Sequence, residues 1–371
     1  MLKRPPLRLA VSIGVLVLLL LGCGSDGPTA EHDWTIEEGA LSLERNLLMS
    51  EGESFYFGTI IDVAPASDGR IFVADADAGH IKVLTPDGSL MDTLGRKGEG
   101  PGEFQRLRQV SLARGDSLFV LDSQRRRVSV FAPSGRLARG LSVDASQGFP
   151  RRIMVPENRS GLVLQHEAFA LSEDVEHGKH VVRRVRPDGS VVDTLVTQRR
   201  APSHRAQRED AKLLIPIPFM PSLHTALGPT NRVHVARGDS LAVVRYALDG
   251  EHRREVSIPF EPVTVTDADK DRVLKNYSDE HPMPRDKIPA TKPAFTDLLV
   301  DDQGRYWFGR PTATPDSTDW WVAWPDKQRV VTTTLPSEVR LHEVVNGRVY
   351  GQTTTENGAP ALVRYRIHID N

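Results

Sequence analysis

The sequence predicts an all-β protein made of repeated four-stranded units, and three observations support this fold class. First, two neighbouring stretches match at a fixed spacing, since 122 − 75 = 47 residues separate Asp75 from Asp122. Second, short apolar segments alternate with turn residues along the chain. Third, the last unit is one strand short, and a strand-like segment near the N-terminus can complete it. Together these observations predict a six-bladed β-propeller over residues 34–371.

The repeat is clearest in the first two units. An apolar strand that ends in aspartate reads RIFVAD at residues 70–75 and LFVLD at residues 118–122. A further apolar strand follows in each unit, IKVL at residues 81–84 and VSVF at residues 128–131, and a proline- and glycine-containing turn closes it. Short strands separated by such turns, at a period of about 40–50 residues, are typical of propeller blades.

Units three to six follow the same plan with weaker similarity. Their turns fall at residues 187–189, 248–250, 302–304 and 346–347. The sixth unit ends after three strands, at residues 362–367, whereas residues 41–48, LSLERNLL, have the pattern of a strand and precede the first unit. Adding this strand to the sixth unit would close the ring and cover a sheet edge that an open array exposes.

These repeats resemble a known family. RIFVADADAGHIKVLTPDG and LFVLDSQRRRVSVFAPSG resemble the NHL repeat, and GEGPGEF before the second unit is typical of it. The chain resembles bacterial lipoproteins of the six-bladed β-propeller type, with the specific match over residues 55–140. Some propeller enzymes that resemble this class hold zinc or calcium on the axis. The resemblance therefore implies a fold and leaves the function open.

The N-terminal segment has the features of a lipoprotein signal peptide, residues 1–22. Basic residues precede an apolar run at residues 9–21 that is too short for a permanent transmembrane helix. The run ends in Leu-Leu-Gly-Cys, which resembles a lipobox, so Cys23 is the predicted lipidation site. Residues 23–33 are the predicted tether. We expect a lipid anchor in the cell envelope, on the periplasmic side of the outer membrane more than on the inner membrane, because no aspartate follows Cys23.

Composition limits the chemistry. Cys23 is the one cysteine, so the mature chain has no disulfide, catalytic thiol or cysteine metal site. The formal net charge of −2 does not favour nucleic-acid binding. Residues 95–104, GRKGEGPGEF, suggest a phosphate loop, but such a loop needs a following helix. Pro101 lacks an N–H and Glu103 would repel phosphate, so we interpret this stretch as a turn between units.

Loop lengths distinguish the two faces of the predicted propeller. The turns between strands one and two and between strands three and four are short and define the tight-turn face. The other turns and the links between blades define the loop-rich face, and they carry insertions at residues 166–179, 196–222, 260–294 and 311–318. Because long loops in compact domains are usually functional, the loop-rich face is the predicted binding surface.

Two insertions have local structure of their own. Residues 266–277, TDADKDRVLKNY, predict a short helix that is N-capped by Thr266 and acts as a lid or buttress. Residues 213–219, LLIPIPF, are too apolar for a free loop, so we expect them to pack into the channel mouth.

The repeated aspartates, Asp75 and Asp122, each end the second strand of their unit. We interpret them as acceptors for N–H groups of the following turn.

Candidate binding residues map to the loop-rich face. Its basic residues predict a patch for an anionic ligand, and its histidines are candidates for ligand contact or a metal. These residues are Arg96, Lys97, Arg125, Arg126, Arg127, His166, His180, His204 and His224.

Two functions remain open at this level. The first is a monomeric binding or scaffold module that holds a protein or glycan through the loop-rich face and needs no cofactor. The alternative is a metal-assisted lyase or hydrolase, similar to lactonase-type propellers, with Ca or Zn at the mouth of the central channel. Carboxylates or histidines at matching inner-strand ends of four or more blades would favour the enzyme, and the sequence identifies no such set.

Overall fold

The computed structural model describes residues 34–52, 55–144, 148–157, 161–168, 178–208, 211–248, 253–278 and 282–370. The predicted signal peptide, the tether and Cys23 lie outside these residues. Residues 34–371 belong to one compact unit. Within the described part, the strands form six sheets of four or five strands, which are the blades of a six-bladed β-propeller. The predicted fold class is confirmed.

The blades follow one another in chain order. Four strands, β1 (Thr35–Glu38), β2 (Leu41–Met49), β3 (Glu51–Gly52) and β4 (Phe55–Tyr56), precede blade 1. Blade 1 contains β5 (Ile60–Pro65), β6 (Ile71–Asp75), β7 (His80–Leu84) and β8 (Leu90–Leu94). After the short pair β9 (Arg96–Lys97) and β10 (Glu103–Phe104), blade 2 contains β11 (Leu107–Leu112), β12 (Leu118–Asp122), β13 (Arg127–Phe131) and β14 (Leu137–Ser142).

The next two blades are separated by a hairpin. Blade 3 contains β15 (Phe149–Met154), β16 (Leu162–Ala168), β17 (Lys179–Val185) and β18 (Val191–Arg199). The hairpin consists of β19 (Ser203–Arg208) and β20 (Ala211–Pro216). Blade 4 contains β21 (Leu223–Gly228), β22 (Arg232–Arg237), β23 (Leu241–Ala247) and β24 (Arg253–Ile258), with a 3-10 turn at Pro229–Asn231.

The last two blades follow a helical insertion, which holds α1 (Asp267–Leu274) and a 3-10 turn at Arg285–Lys287. Blade 5 contains β25 (Asp297–Val300), β26 (Tyr306–Pro311), β27 (Ser317–Trp324) and β28 (Arg329–Pro336). Blade 6 contains β29 (Arg340–Val345), β30 (Arg348–Thr354) and β31 (Pro360–Ile369), and β2 is its fourth strand.

The N-terminal segment closes the ring as the sequence predicts. Strand β2 pairs antiparallel with β31, with Leu41 opposite Ile369 and Met49 opposite Leu362. Strand β1 adds a feature that the sequence did not reveal, since it pairs in parallel with β28 and gives blade 5 a fifth strand. Its sequence, TIEE, is too short and polar to show a strand pattern.

The core lies between the blades. In β6, Ile71 and Val73 belong to the apolar cluster shared with blade 6, whereas Phe72 and Ala74 belong to the cluster shared with blade 2. Because successive side chains of a strand point to opposite faces, each sheet packs against both neighbours. Each of the six apolar clusters of the described residues lies between two adjacent blades.

The insertions of the loop-rich face contact each other. The hydroxyl of Thr266 accepts the N–H of Asp269 at 3.1 Å, which confirms the predicted N-cap of α1. Asp269 is buried and forms an ion pair with Lys292 at 3.1 Å, so α1 is anchored as a buttress. The Tyr277 hydroxyl donates to the Pro216 carbonyl at 3.2 Å and joins the helical insertion to the hairpin.

Contrary to the prediction for LLIPIPF, none of its described side chains, at residues 214–219, lines either channel cavity. Ile217 is buried and the Phe219 ring lies 5.9 Å from the Lys292 ammonium, so this end of the segment packs towards the helical insertion. The described walls of the channel cavities come from the first strands of the blades instead. No helix in the described ranges is long and apolar enough to cross a membrane.

Candidate functional site in the central channel

The first strands of four blades contain a bulge near their start. The pairing register shifts between Ile60 and Asp62 in blade 1, and at the matching place in blades 2, 3 and 6. A bulge re-aims the side chains that follow it. The residues directly after the four bulges line the channel, and they are Asp62, Gln109, Arg152 and Glu343.

The channel consists of two cavities, of about 220 and 230 Å³. Both are lined by Asp62, Gln109, Arg152, Leu299 and His342, which therefore mark the level where the cavities meet. The first cavity continues along the later residues of the first strands, towards the tight-turn face. The second continues along their earlier residues, towards the loop-rich face. We call the second cavity the entrance.

At the meeting level, two side chains connect neighbouring blades. Asp62 Oδ2 accepts the N–H of Val110 in blade 2 at 3.0 Å, and Gln109 Oε1 accepts the N–H of Ile153 in blade 3 at 2.7 Å. Asp62 Oδ1 lies 3.1 Å from His342 Nδ1. Asp62 and Gln109 therefore have a structural role in addition to facing the channel.

Arg152 and Glu343 are not fixed in this way. Arg152 Nε is buried and has no hydrogen-bond partner among the described residues. Burial lowers the pKa of Arg152, although the carboxylates of Asp62 and Glu343 oppose this. The Glu343 carboxyl is exposed to the cavity yet enclosed by protein. This desolvation, together with the nearby charges of Asp62 and Asp302, raises the pKa of Glu343 to about 7, against the opposing effect of Arg152.

The entrance has an excess of positive charge. Its walls contain four arginines, Arg108, Arg151, Arg152 and Arg340, and two carboxylates, Asp62 and Asp297. Arg151 is neutralised because its Nε donates to Glu167 at 2.7 Å. Among the described residues, Arg108, Arg152 and Arg340 form no ion pair. Desolvation lowers the pKa of Arg108, and the charges of Arg151 and Arg340 lower it further, so these cations lie close together.

The candidate histidines lie in different places. His224 lines the entrance, where its Nε2 lies 2.8 Å from the Ser222 hydroxyl. Burial and the nearby charge of Arg152 lower the pKa of His224 to about 4, against the opposing charge of Asp297. His180 is also buried, and burial lowers its pKa as well. Both rings are therefore neutral at neutral pH.

The other two histidines face different surroundings. His166 is buried within blade 3, and neither of its ring nitrogens has a hydrogen-bond partner among the described residues. Burial lowers the pKa of His166 to about 4. His204 lies on the hairpin, with Nδ1 3.1 Å from the Lys287 ammonium. Of these four histidines, His224 lines the channel wall, and His166, His180 and His204 line neither channel cavity.

The glycine-rich turn is held by its own side chains. Glu103 accepts the N–H of Gly100 at 2.9 Å and pairs with Arg96 at 2.6 Å, so a carboxylate of the chain already binds the amide that a phosphate would use. Arg127 donates to the carbonyl of Gly100 at 2.9 Å. Arg125 pairs with Glu99 at 3.4 Å. This confirms the turn interpretation of residues 95–104.

Two further members of the predicted basic patch are more available. Lys97 is exposed beside this turn. The guanidinium of Arg126 lies 4.9 Å from the ring centre of Phe149, the first residue of β15. Arg126 is therefore close to the rim of the entrance, but neither residue lines its wall.

The repeated aspartates have the structural role that the repeat predicts. Asp122 accepts the N–H groups of Gln105, Arg106, Gln124 and Arg125. Asp75 binds the equivalent amides in blade 1 and the Lys82 ammonium at 2.6 Å. Each aspartate ties the start of its blade to the turn after its second strand.

Sequence reasoning missed the channel residues. Asp62 and Gln109 share the repeat spacing, since 109 − 62 = 47, but their chemistry differs and the repeat therefore gives no visible motif. Across the described ranges, no group of three or more His, Cys, Asp or Glu side chains is placed to hold a metal ion.

The comparisons with known proteins agree on the fold. A family model, DUF5128, described as a 6-bladed beta-propeller, matches residues 49–147. No curated protein matches the chain. A structure from Bacteroides fragilis named as an exported protein covers 91% of this chain and 99% of its own, with a TM-score of 0.62 and 11% identity. A member of the duf4221 family from Bacteroides vulgatus covers 89% and 99%, with a TM-score of 0.52 and 9% identity. At these identities the similarity shows the fold alone, a six-bladed β-propeller.

Proposed function

We propose that the protein is a binding module of the cell envelope, anchored by lipid at Cys23, whose loop-rich face binds an acidic glycan. One observation carries the proposal: the entrance is lined by arginines of which Arg108, Arg152 and Arg340 have no carboxylate partner in the described structure. Arginine binds carboxylate and phosphate groups in a bidentate manner, so a ligand anion would supply the anionic partner that these side chains lack among the described residues.

Aromatic side chains on the same face favour a glycan over a bare anion. Phe149 is 46% exposed and Tyr56 is 74% exposed. Tyr56 lies in the link between blades 6 and 1, and Phe149 begins the first strand of blade 3, so both are on the loop-rich face. Exposed aromatic rings offer flat apolar surface to the C–H faces of sugars, while the arginines would bind the acidic group. An acidic protein segment is the other ligand with the same charge.

Calorimetric titration of the protein from residue 33 onward with tri-galacturonate tests the ligand class. We expect one site, no binding of the neutral methyl ester, and at least a tenfold weaker Kd for Arg152→Met. Arg136→Met, at an exposed turn on the opposite face, is the matched control and should bind as the wild type does. Equal binding of acid and ester, or an unchanged Kd for Arg152→Met, would contradict the proposal. Binding of poly-glutamate in place of tri-galacturonate would identify an acidic protein segment as the ligand.

The anchor has a separate test. Cells expressing the full chain should incorporate labelled palmitate into the wild type and none into Cys23→Ala, and the wild type should fractionate with outer membranes. Equal label in both forms would remove Cys23 as the lipidation site. The ligand test is independent of this result because it uses the chain without the anchor.

A catalytic function is the second candidate, and Glu343 favours it. A carboxyl with a pKa of about 7 in an enclosed channel suits a general acid or base at neutral pH. Elemental analysis of the chelator-free protein bears on the metal-assisted lyase or hydrolase. The wild type would then contain about one zinc or calcium per chain and would turn over a lactone. Loss of both the metal and the turnover in Glu343→Gln would support this alternative over the binding module.

A further inference from the structure

A second cavity system lies away from the channel, between blades 4 and 5 on the tight-turn face. This cavity, which we call the blade 4–5 cleft, has a volume of about 440 Å³ and shares no lining residue with either channel cavity. Its walls include Pro229 and Thr230 of the first turn of blade 4, the strand residues His234 and Arg245, and the turn of blade 5 from Trp324 to Lys327. Its size is within the usual range of small-ligand sites.

The cleft carries a positive charge. Arg232, Arg245 and Lys327 line it, against the single carboxylate of Asp326. Arg305 also lines the cleft, but Asp301 neutralises it at 2.5 Å. Cations that gather in a concave site attract anions, since enclosure strengthens their field.

Arg245 is a half-buried cation that lines the cleft. It lies directly opposite His234 in the pairing of β22 with β23. Its Nε is buried and has no hydrogen-bond partner, and among the described residues it forms no ion pair. A buried N–H without an acceptor destabilises the folded state, so a ligand oxygen at this position would supply the missing hydrogen bond.

His234 is a neutral part of the same wall. Its Nδ1 lies 3.3 Å from the Tyr306 hydroxyl, and its Nε2 is buried without a partner. Burial, together with the charges of Arg245 and Arg232, lowers the pKa of His234 to about 3. The imidazole therefore adds no charge, and the cationic character of the cleft comes from its arginines and lysine.

The rim of the cleft includes a turn with unfavourable backbone geometry. Thr230 has a φ of 61° and a ψ of 30°, which is unfavourable for a β-branched residue. The strained turn is held because Arg232 donates to the Thr230 hydroxyl at 3.3 Å and Asn231 accepts the N–H of Glu157 at 2.6 Å. Strain of this kind persists where the surroundings fix it, and it is most common at binding sites.

Another part of the cleft lining contains an aromatic ring and two prolines. The guanidinium groups of Arg305 and Arg329 each lie 5.4 Å from the ring centre of Trp324. Pro229 and Pro325 extend this surface on either side of the opening. The cleft lining therefore combines cationic side chains with an aromatic ring and two prolines.

We propose that the blade 4–5 cleft is a second binding site, for an organic anion that consists of a phosphate or carboxylate group on a compact ring. The anionic group would lie between Arg245, Arg232 and Lys327. The ring would pack against Trp324 and the two prolines. This site is independent of the channel ligand and of the lipid anchor.

Calorimetric titration with phenyl phosphate tests the proposal. We expect one site in the wild type, at least tenfold weaker binding by Arg245→Met, and several-fold weaker binding by Lys327→Ala. Because Lys327 is exposed, its replacement should not disturb folding, and weaker binding by this variant would report a lost ligand contact. The channel variant Arg152→Met should bind as the wild type does. Phenol and inorganic phosphate, each with one half of the recognition chemistry, should bind at least tenfold more weakly.

Two results would overturn the proposal. If Arg152→Met abolishes binding while Arg245→Met and Lys327→Ala do not, the probe binds in the channel and the cleft is empty. If inorganic phosphate binds as tightly as phenyl phosphate, the aromatic ring and the two prolines play no part. Phenyl carboxylate (benzoate) in place of phenyl phosphate shows which anionic group the cleft prefers, and binding of either one supports the proposal.

Discussion

Closure of the ring by the N-terminal strand can be tested with two leucines of β2. Leu41 is 2% exposed and belongs to the apolar cluster between blades 5 and 6, together with Trp307 and Trp320. Leu48, on the same strand, is 42% exposed. The substitutions Leu41→Ala and Leu48→Ala remove the same atoms from one buried and one exposed position.

The expected loss of stability follows from burial. Replacing a buried leucine by alanine removes transfer free energy and leaves a cavity, which together cost about 2–5 kcal/mol. For Leu41 we expect about 3 kcal/mol, because both tryptophan side chains of its cluster are almost fully buried and cannot move into the space. For Leu48 we expect less than about 1 kcal/mol, since an exposed side chain loses little burial.

Urea denaturation followed by tryptophan fluorescence measures the difference. With an m-value of about 3 kcal/mol per M, the expected loss for Leu41→Ala lowers the urea midpoint by about 1 M, and the shift for Leu48→Ala stays below about 0.3 M. Equal shifts for the two variants would refute the reasoning, because β2 would then not lie in blade 6 as the structure places it.

Two further predictions concern the channel and the glycine-rich turn. The pKa of Glu343 is raised from 4.5 to about 7, so the folded state binds more protons than the unfolded state between these values and the wild type loses stability as the pH rises through this window. Glu343→Gln should lack this loss. The difference in urea midpoint between the variant and the wild type should therefore increase from about pH 4.5 to about pH 7 and then stay constant. The same difference in midpoint at pH 5 and at pH 8 would contradict the raised pKa. Glu103→Ala should free the turn that its carboxylate holds, so trypsin should cleave after Lys97 faster than in the wild type, whereas an unchanged rate would show that the turn does not depend on Glu103.

Much of the fold could be predicted from sequence because the propeller depends on repeated local rules. The aspartates at 75 and 122 recur because blades 1 and 2 use the same acceptor for their turn amides. The closing strand could be found because LSLERNLL has a strand pattern and the last unit lacks one strand. Strand β1 could not, because its pairing with β28 depends on a distant partner and its own residues are polar.

The candidate site was less predictable, since the residues that line a propeller channel come from separate blades. Gln109 and Arg152 lie in unremarkable sequence surroundings, and only the ring brings them within reach of Glu343. The histidines and basic runs are more visible in the sequence. In the structure, Arg96 and Arg125 pair with acidic residues of their own turn, which uses part of the charge that the sequence suggested for a ligand.

The four residues after the bulges show which channel side chains are available for a ligand. Asp62 and Gln109 each accept a backbone N–H of the next blade, and this link requires a side-chain oxygen. Arg152 has no oxygen and cannot form the link. Glu343 has one, but the equivalent amide, Val63 N–H, is already bound by Asp62 at 3.0 Å. The links between blades therefore explain why Asp62 and Gln109 are present, but they do not explain Arg152 and Glu343. The channel function must be sought at these last two residues.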